Sequence, residues 1–228
     1  MATNVNYGTH FFEKNTKLDH RNYKVMATIL ADPKIEKVNW ETFRELELAD
    51  DDLLIYELFD GEILKRSTPS LIHQAVCREL LTELDAYIEE KKLGEVFSAP
   101  VDLNLDEHNA FQPDLAFVSK ERSFLIEDGD YIHGAPDMVI EIISPGTIKK
   151  DRVIKKDLCE RFAIREYWLV DPLNKGIEIY IMQEDKYVLH DLQEISGKIS
   201  STVLTGFELD LGHIFGTEES IEEDVTEK

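Results

Sequence analysis

The spacing of hydrophobic residues changes several times along the chain, and each change predicts a different element. Residues 55–66, IYELFDGEILKR, predict two short strands on either side of Asp60-Gly61. This dipeptide favours a tight turn, so the segment predicts a β-hairpin. Before it, residues 39–47 predict a short helix with Asn39 as the N-cap.

The segment from residue 68 to residue 94 predicts the main helix. Thr68 or Ser70 is a suitable N-cap, and Gly94 is a suitable stop. The apolar stripe predicted for this helix consists of Leu71, Ala75, Leu80, Leu84 and Ile88.

The second half of the chain has mainly the pattern of buried strands. Predicted strands cover residues 95–105, 112–119, 136–144 and 166–172, and a hairpin covers residues 176–192. Residues 147–163 between them predict a basic amphipathic helix. Helices that pack on a mixed sheet, with a helical crossover between buried strands, predict a layered α/β (α+β) domain with a central mixed β-sheet flanked by helices.

Composition sets the boundaries of this domain. We expect an N-terminal extension at residues 1–37, one domain at residues 38–216 and an acidic, disordered tail at residues 217–228. The chain shows no apolar stretch long enough to span a bilayer and no signal peptide, so the expected location is the cytoplasm. The two cysteines, Cys77 and Cys159, are expected to be reduced thiols within helices.

The formal net charge of −22 argues against broad, sequence-independent binding to nucleic acids. The charge is not uniform, however. The segment 149–165, called the basic island below, contains seven Lys or Arg residues and three acidic residues. A phosphate could therefore meet a locally positive surface beside the strand at residues 136–144.

Glu141 stands inside the apolar run Met138–Ile143, where an ionised carboxylate is costly unless a nearby charge compensates it. Asp114 occupies a similar place at the start of the strand at residues 112–119. If the two strands pair, both carboxylates can share a Mg²⁺ or Mn²⁺ ion. Lys155 and Lys156 are candidate cations for phosphodiester hydrolysis at such a site. The alternatives are an ordinary buried salt bridge for the acids and a solvated helix face for the lysines.

Seven blocks in order resemble a known family: YELFDGE, PSLIHQ, GEVFSAPVDLNL, QPDLAFVS, APDMVIEIISPGT, DRVIKK and REYWLVDP. They are similar to the Uma-two family of proposed bacterial endonucleases, within the restriction-endonuclease-like superfamily whose site is written PD-(D/E)xK. The resemblance covers residues 39–181. It implies a restriction-endonuclease-like core and metal-dependent cleavage of DNA.

When the site residues of the family are transferred to the matching positions of this chain, the resemblance implies that Asp114 and Glu141 are the metal ligands. The usual lysine position, two residues after the second acid, is Ile143 here. The family pattern instead implies Lys155, four residues after Asp151 on the following helix, as the catalytic lysine. Glu57 and His73 match further family blocks and are possible auxiliary residues.

Two functions therefore remain open. The first is a Mg²⁺-dependent endonuclease acting on DNA. The second is a nuclease-fold binding or assembly module, for example a homodimer, in which the same residues form a buried ion network. For the first, we expect Asp114 and Glu141 on adjacent strands, with Lys155 rather than Lys156 directed at them, because successive helical positions differ by about 100°.

Overall fold

The computed structural model describes residues 37–45 and 54–216. The predicted extension at residues 1–37 lies outside these ranges except for its last residue, and the predicted tail at residues 217–228 lies wholly outside them. The division into extension, domain and tail therefore stays a prediction.

The centre of the molecule is a six-stranded mixed sheet. Its strands are β3 (Gly94–Ser98), β6 (Leu115–Ser119), β8 (Met138–Ile142), β9 (Glu166–Asp171), β10 (Gly176–Gln183) and β11 (Lys186–Glu194). They lie in the order β11-β10-β9-β8-β6-β3. Strands β8 and β9 are parallel, and every other neighbouring pair in this sheet is antiparallel. The predicted α/β fold with a central mixed sheet is confirmed.

A second, five-stranded sheet has the strand order β2-β1-β5-β4-β7. Its strands are β1 (Leu54–Phe59), β2 (Glu62–Ser67), β4 (Leu103–Asp106), β5 (Asn109–Phe111) and β7 (Ile132–His133). The first two form the predicted hairpin around Asp60-Gly61. A small third sheet pairs β12 (Lys198–Ser200) with β13 (Glu208–Asp210).

Helices complete the layers. They are α1 (Trp40–Glu45), α2 (Leu71–Lys91), α3 (Lys156–Arg161) and α4 (Leu211–Phe215), with a 3₁₀ segment (Lys120–Ile126) and a π-helical turn (Lys150–Lys155). As predicted, Asn39 caps α1 by accepting the N–H of Thr42, and Ser70 caps α2 by accepting the N–H of His73. The helix predicted at residues 147–163 is confirmed over residues 148–161, and it contains a π-helical turn that the sequence did not predict.

The apolar stripe of α2 was predicted with the wrong start. Leu71 and Ala75 are exposed, and the buried positions are His73, Val76, Leu80, Leu84 and Ile88. The last four pack with β6, β8, β9 and β10 in one large core. The first turn of α2 buries His73 instead of Leu71, because His73 faces the Asp114 carboxylate directly before β6.

The predictions for the end of α2 and for the strand that follows it are also corrected. Helix α2 ends at Lys91, and its C-cap Lys92 adopts the left-handed conformation, with φ 55°. Gly94 instead starts β3, where an added Cβ would lie 2.1 Å from the carbonyl oxygen of Val118. The single strand predicted at residues 95–105 is also wrong, because the chain leaves one sheet near Pro100 and enters the other as β4.

Strand β8 has a buried core on each of its faces. Met138, Ile140 and Ile142 point into the core that contains α2. Val139 belongs to a second core, which contains α3 and the five-stranded sheet. Since side chains alternate along a strand, Glu141 lies on the same face as Val139, between the two large sheets.

Candidate active site

Asp114 lies directly before β6, on the strand next to Glu141. The antiparallel register pairs Leu115 with Ile140, so continuing it by one residue sets Asp114 opposite Glu141. The Oδ2 atom of Asp114 accepts the main-chain N–H of Ile142 at 2.8 Å. This bond ties the carboxylate to the strand that carries Glu141.

His73, in the first turn of α2, contacts the same oxygen. Its Nε2 atom lies 2.9 Å from Asp114 Oδ2, and both side chains are buried. The Nδ1 atom of His73 is buried and has no hydrogen-bond partner among the described residues. The structure therefore brings His73, predicted as an auxiliary residue, against Asp114.

Glu141 pairs with Lys155. The Nζ atom of Lys155 lies 2.8 Å from Glu141 Oε1 and 3.0 Å from Glu57 Oε1, and all three side chains are 0% exposed. An ammonium group thus supplies a compensating charge for Glu141. The neighbouring Lys156 points elsewhere, with Nζ 3.8 Å from the ring centroid of Tyr180. This geometry agrees with the direction expected for Lys155.

Glu57 reaches the site from β1 in the five-stranded sheet. Besides Lys155, it pairs with Lys150, whose Nζ atom lies 2.8 Å from Glu57 Oε2. The buried ion cluster consists of Glu57, Lys150, Lys155, Glu141 and Asp151, the last 3.9 Å from Lys155 Nζ. Four predicted residues, Asp114, Glu141, Lys155 and Glu57, thus lie in one region where the two large sheets face each other.

The carboxylates of the site affect the pKa values of nearby titratable groups. Burial first, and then the negative charges of Asp114 and Glu141, raise the pKa of the Cys77 thiol to about 11. Burial likewise raises the pKa of Cys159 and of Tyr167, and in both cases Glu141 adds to the effect. These groups therefore remain protonated at neutral pH. Both cysteines are free and lie in helices, as predicted.

Sequence reasoning missed Lys150 and Tyr167 as neighbours of the site, and it named Asp151 only as part of the family pattern around Lys155. Tyr167 is buried, and its hydroxyl donates to the carbonyl of Asp151 at 2.9 Å. A signal for Asp151 was present in its spacing of four residues from Lys155. No local pattern identifies Lys150, because its partner Glu57 is 93 residues away.

The basic island does not provide the open positive surface that its composition suggested. Most of its cations pair with acids that lie outside it, and Lys155 is sealed in the interior. The pairs are Lys150 with Glu57, Arg152 with Glu178, Arg161 with Asp60, and Arg165 with Asp137. These tertiary pairs offset part of the positive charge that the basic island could present to a phosphate, and its contact with a phosphate stays a prediction.

The side chains at this site suit a hard divalent cation in chemical type, since carboxylate oxygens are the ligands that Mg²⁺ and Mn²⁺ prefer. Within residues 37–45 and 54–216, however, no three His, Cys, Asp or Glu side chains are gathered closely enough to hold a metal ion. A bound ion would therefore take two carboxylates, with main-chain and water oxygens as its other ligands. Mg²⁺ usually keeps several waters, so such a site remains compatible with it.

Among the described residues, no helix has the length and apolar character needed to cross a membrane.

Comparison with known proteins places this fold and cluster in context. A crystal structure of "a putative nuclease belonging to DUF820" from Anabaena variabilis resembles this chain with a TM-score of 0.63 and 19% sequence identity. The similarity covers 78% of this chain and 97% of the other, and at this identity it shows a shared fold. No curated protein matches the chain.

The sequence model of the Uma2 (Uma-two) family, described as "Putative restriction endonuclease", matches residues 40–212. This range runs from the start of α1 into α4 and contains every residue of the buried ion cluster. The match covers most of the chain and agrees with the shared fold. The chain therefore belongs to the Uma2 family.

Proposed function

We propose that this protein is a divalent-metal-dependent endonuclease that hydrolyses DNA phosphodiester bonds. The observation that carries the proposal is the pairing of Lys155 with Glu141 at 2.8 Å, on the strand next to Asp114. Two acids and a lysine on neighbouring elements are the set that the PD-(D/E)xK pattern requires. Here the lysine comes from the segment after β8 instead of from β8 itself.

In this proposal Asp114 and Glu141 hold a Mg²⁺ or Mn²⁺ ion through carboxylate oxygens. When bound, the ion would promote ionisation of a water molecule and neutralise charge that develops on the phosphate. His73 would keep the Asp114 carboxylate in a fixed orientation by its hydrogen bond to Oδ2. The N–H of Ile142 does the same from the adjacent strand.

Lys155 is proposed as the catalytic cation. Its ammonium group would donate a hydrogen bond to the attacking water or to a non-bridging phosphate oxygen, and so stabilise the transition state. Glu57 helps to hold this ammonium beside Glu141 before the substrate arrives, and Lys150 in turn neutralises Glu57. A group held in advance reorganises little during the reaction, which is the basis of electrostatic catalysis.

Cleavage of plasmid and linear DNA with Mg²⁺ or Mn²⁺ tests the proposal. Asp114→Ala and Glu141→Ala should abolish cleavage, and Lys155→Ala should reduce kcat by at least about a hundredfold, as expected for loss of one electrostatic stabiliser. Lys156→Ala is the matched control, because it removes the adjacent lysine and should retain activity. The endonuclease proposal fails if the wild-type protein cuts no DNA with either metal, or if Asp114→Ala cuts equally well.

A second function is favoured by one observation. Lys155, Glu57 and Glu141 are all 0% exposed, and a fully enclosed ion network is also what a binding or assembly module would need for stability alone. In that case DNA binding or self-association would survive Asp114→Ala without any cleavage. Homodimer formation stays a prediction, which light scattering of the purified protein would test.

A further inference from the structure

The turn that delivers Lys155 is not an ordinary α-helix. Residues Lys150–Lys155 form a π-helical turn, which α3 continues from Lys156. In an α-helix the carbonyl of residue 151 accepts the N–H of residue 155, whereas the hydrogen bonds of a π-helical turn span five residues. Such turns are rare and occur frequently at functional sites.

A side chain from another element forms a hydrogen bond with this turn. Tyr167 lies on β9 and is fully buried, and its hydroxyl donates to the carbonyl of Asp151 at 2.9 Å. Insertion of a side chain into the helical hydrogen-bond ladder is a recognised cause of local deformation. The hydroxyl supplies this carbonyl with a donor while the helix is widened.

The widened turn changes the direction of the residues that end it. Closing a turn one residue later redirects the next side chain by about 100°. Lys155 ends this turn, and its Nζ atom contacts Glu141 and Glu57. The neighbouring Lys156, one residue later, points to Tyr180.

We propose that Tyr167 is a positioning residue for Lys155: its hydrogen bond to the Asp151 carbonyl holds the π-helical turn that directs the ammonium of Lys155 at Glu141. In this role Tyr167 acts through the main chain of Asp151. The consequence for catalysis rests on the proposed endonuclease function. The consequence for the position of Lys155 does not.

The chain offers a matched control for this proposal. Tyr187 is partly buried, its ring stacks on that of Tyr167 at a centroid distance of 6.0 Å, and its hydroxyl donates to the carbonyl of Ile164 at 2.8 Å. Tyr167→Phe and Tyr187→Phe thus each remove one hydroxyl that donates to a main-chain carbonyl in the same ring stack. Only the first acts on the π-helical turn.

The first measurement needs no activity. An ammonium sealed from water exchanges its protons slowly, so ¹⁵N NMR of the lysine side chains should show a protected Nζ signal for Lys155. The variant Lys155→Arg assigns this signal by removing it. All spectra are recorded well below the lower of the two variants' Tm values, so that both variants are folded.

We expect the protected signal in the wild-type protein and in Tyr187→Phe, and its loss in Tyr167→Phe or exchange at least about tenfold faster. If Tyr167→Phe keeps the signal with the same exchange rate as Tyr187→Phe, the positioning role is wrong. If both variants lose the signal, Tyr167 acts only as a packing residue, and the proposal is also overturned.

The second measurement is DNA cleavage. Tyr167→Phe should lower kcat at least about tenfold with KM for DNA changed less than about twofold, because a displaced lysine weakens transition-state contacts more than ground-state binding. Tyr187→Phe should stay within about twofold of wild type in both constants. If the wild-type protein cuts no DNA, the proposed function fails, and the NMR comparison alone decides the role of Tyr167.

Discussion

Replacing Lys155 by methionine should destabilise the protein strongly. The side chain is 0% exposed, and its ammonium lies between Glu141 at 2.8 Å and Glu57 at 3.0 Å. Methionine fills nearly the same volume but carries no charge, so the two carboxylates lose a cation in an interior that water does not reach. Removing one partner of a buried ion pair costs about 3–5 kcal/mol.

The structure places the expected cost near the lower end of this range. Glu57 keeps a second ammonium, since Lys150 Nζ lies 2.8 Å from its Oε2 atom. Glu141 loses the ammonium group that compensates it most closely. We therefore expect a loss of about 3 kcal/mol in the free energy of unfolding, which corresponds to a decrease in Tm of roughly 6–12 °C for a domain of this size.

Urea unfolding, followed by the fluorescence of the buried Trp168, measures this loss. Lys156→Met is the control, because that side chain packs over Tyr180 and its loss should cost about 1 kcal/mol or less. The double variant Lys155→Met/Glu141→Gln should lose less free energy of unfolding than the two single variants lose together. The difference should be at least about 0.5 kcal/mol. A cost for Lys155→Met no larger than for Lys156→Met would refute the buried position of the lysine.

Three further predictions concern other parts of the molecule. Glu166→Gln should lower the free energy of unfolding in urea by about 2–3 kcal/mol, because this buried carboxylate accepts hydrogen bonds from the Trp168 indole and from residues 201–203. A loss below about 0.5 kcal/mol would contradict this prediction. Burial and then the hydrogen bond to Glu178 raise the pKa of Tyr180 to about 12 from its usual 10. The protonated Tyr180 hydroxyl therefore stabilises the folded state below pH 10, and this stabilisation is lost as the pH rises towards 12. The urea midpoint should therefore fall less between pH 9 and pH 11 in Tyr180→Phe than in wild type, and equal changes would argue against the shift. Removing residues 217–228, which contain six acids and one lysine, should raise apparent affinity for DNA at low salt and leave the metal requirement unchanged; unchanged affinity in a filter-binding titration would count against this.

Local signals in the sequence were sufficient to predict most helices and strands of the core. The Asp60-Gly61 turn and the apolar run of β8 have strong local causes, and both were predicted correctly. The start of the α2 stripe was not, because Leu71 and Ala75 lie on the opposite side of the helix from Leu80 and Leu84 at about 100° per residue, and both are exposed. The residue that continues the buried face in the first turn is His73, which is polar and is buried only through its contact with Asp114, 41 residues away.

The candidate site was partly predictable for a different reason. Glu141 and Asp114 stand out as acids beside or inside apolar strands, so the sequence itself raises the question of what compensates them. The contributions of Lys150 and Tyr167 depend on contacts with Glu57 and with the Asp151 carbonyl, which form only in the folded chain. The π-helical turn likewise has no signature in the spacing of hydrophobic residues.

The ion cluster also affects how the chain folds. Lys155 follows β8, whereas Glu57 belongs to the other large sheet and lies 98 residues earlier. Lys155 has Glu141 as a counterion within its own sheet, but Glu57 cannot leave water cheaply until Lys150 and Lys155 reach it. The five-stranded sheet alone therefore gains nothing from burying Glu57, and contacts of such high sequence separation slow folding. The ion cluster thus couples the two sheets in a single cooperative unit, because docking them in the wrong register would bury Glu57 without a counterion.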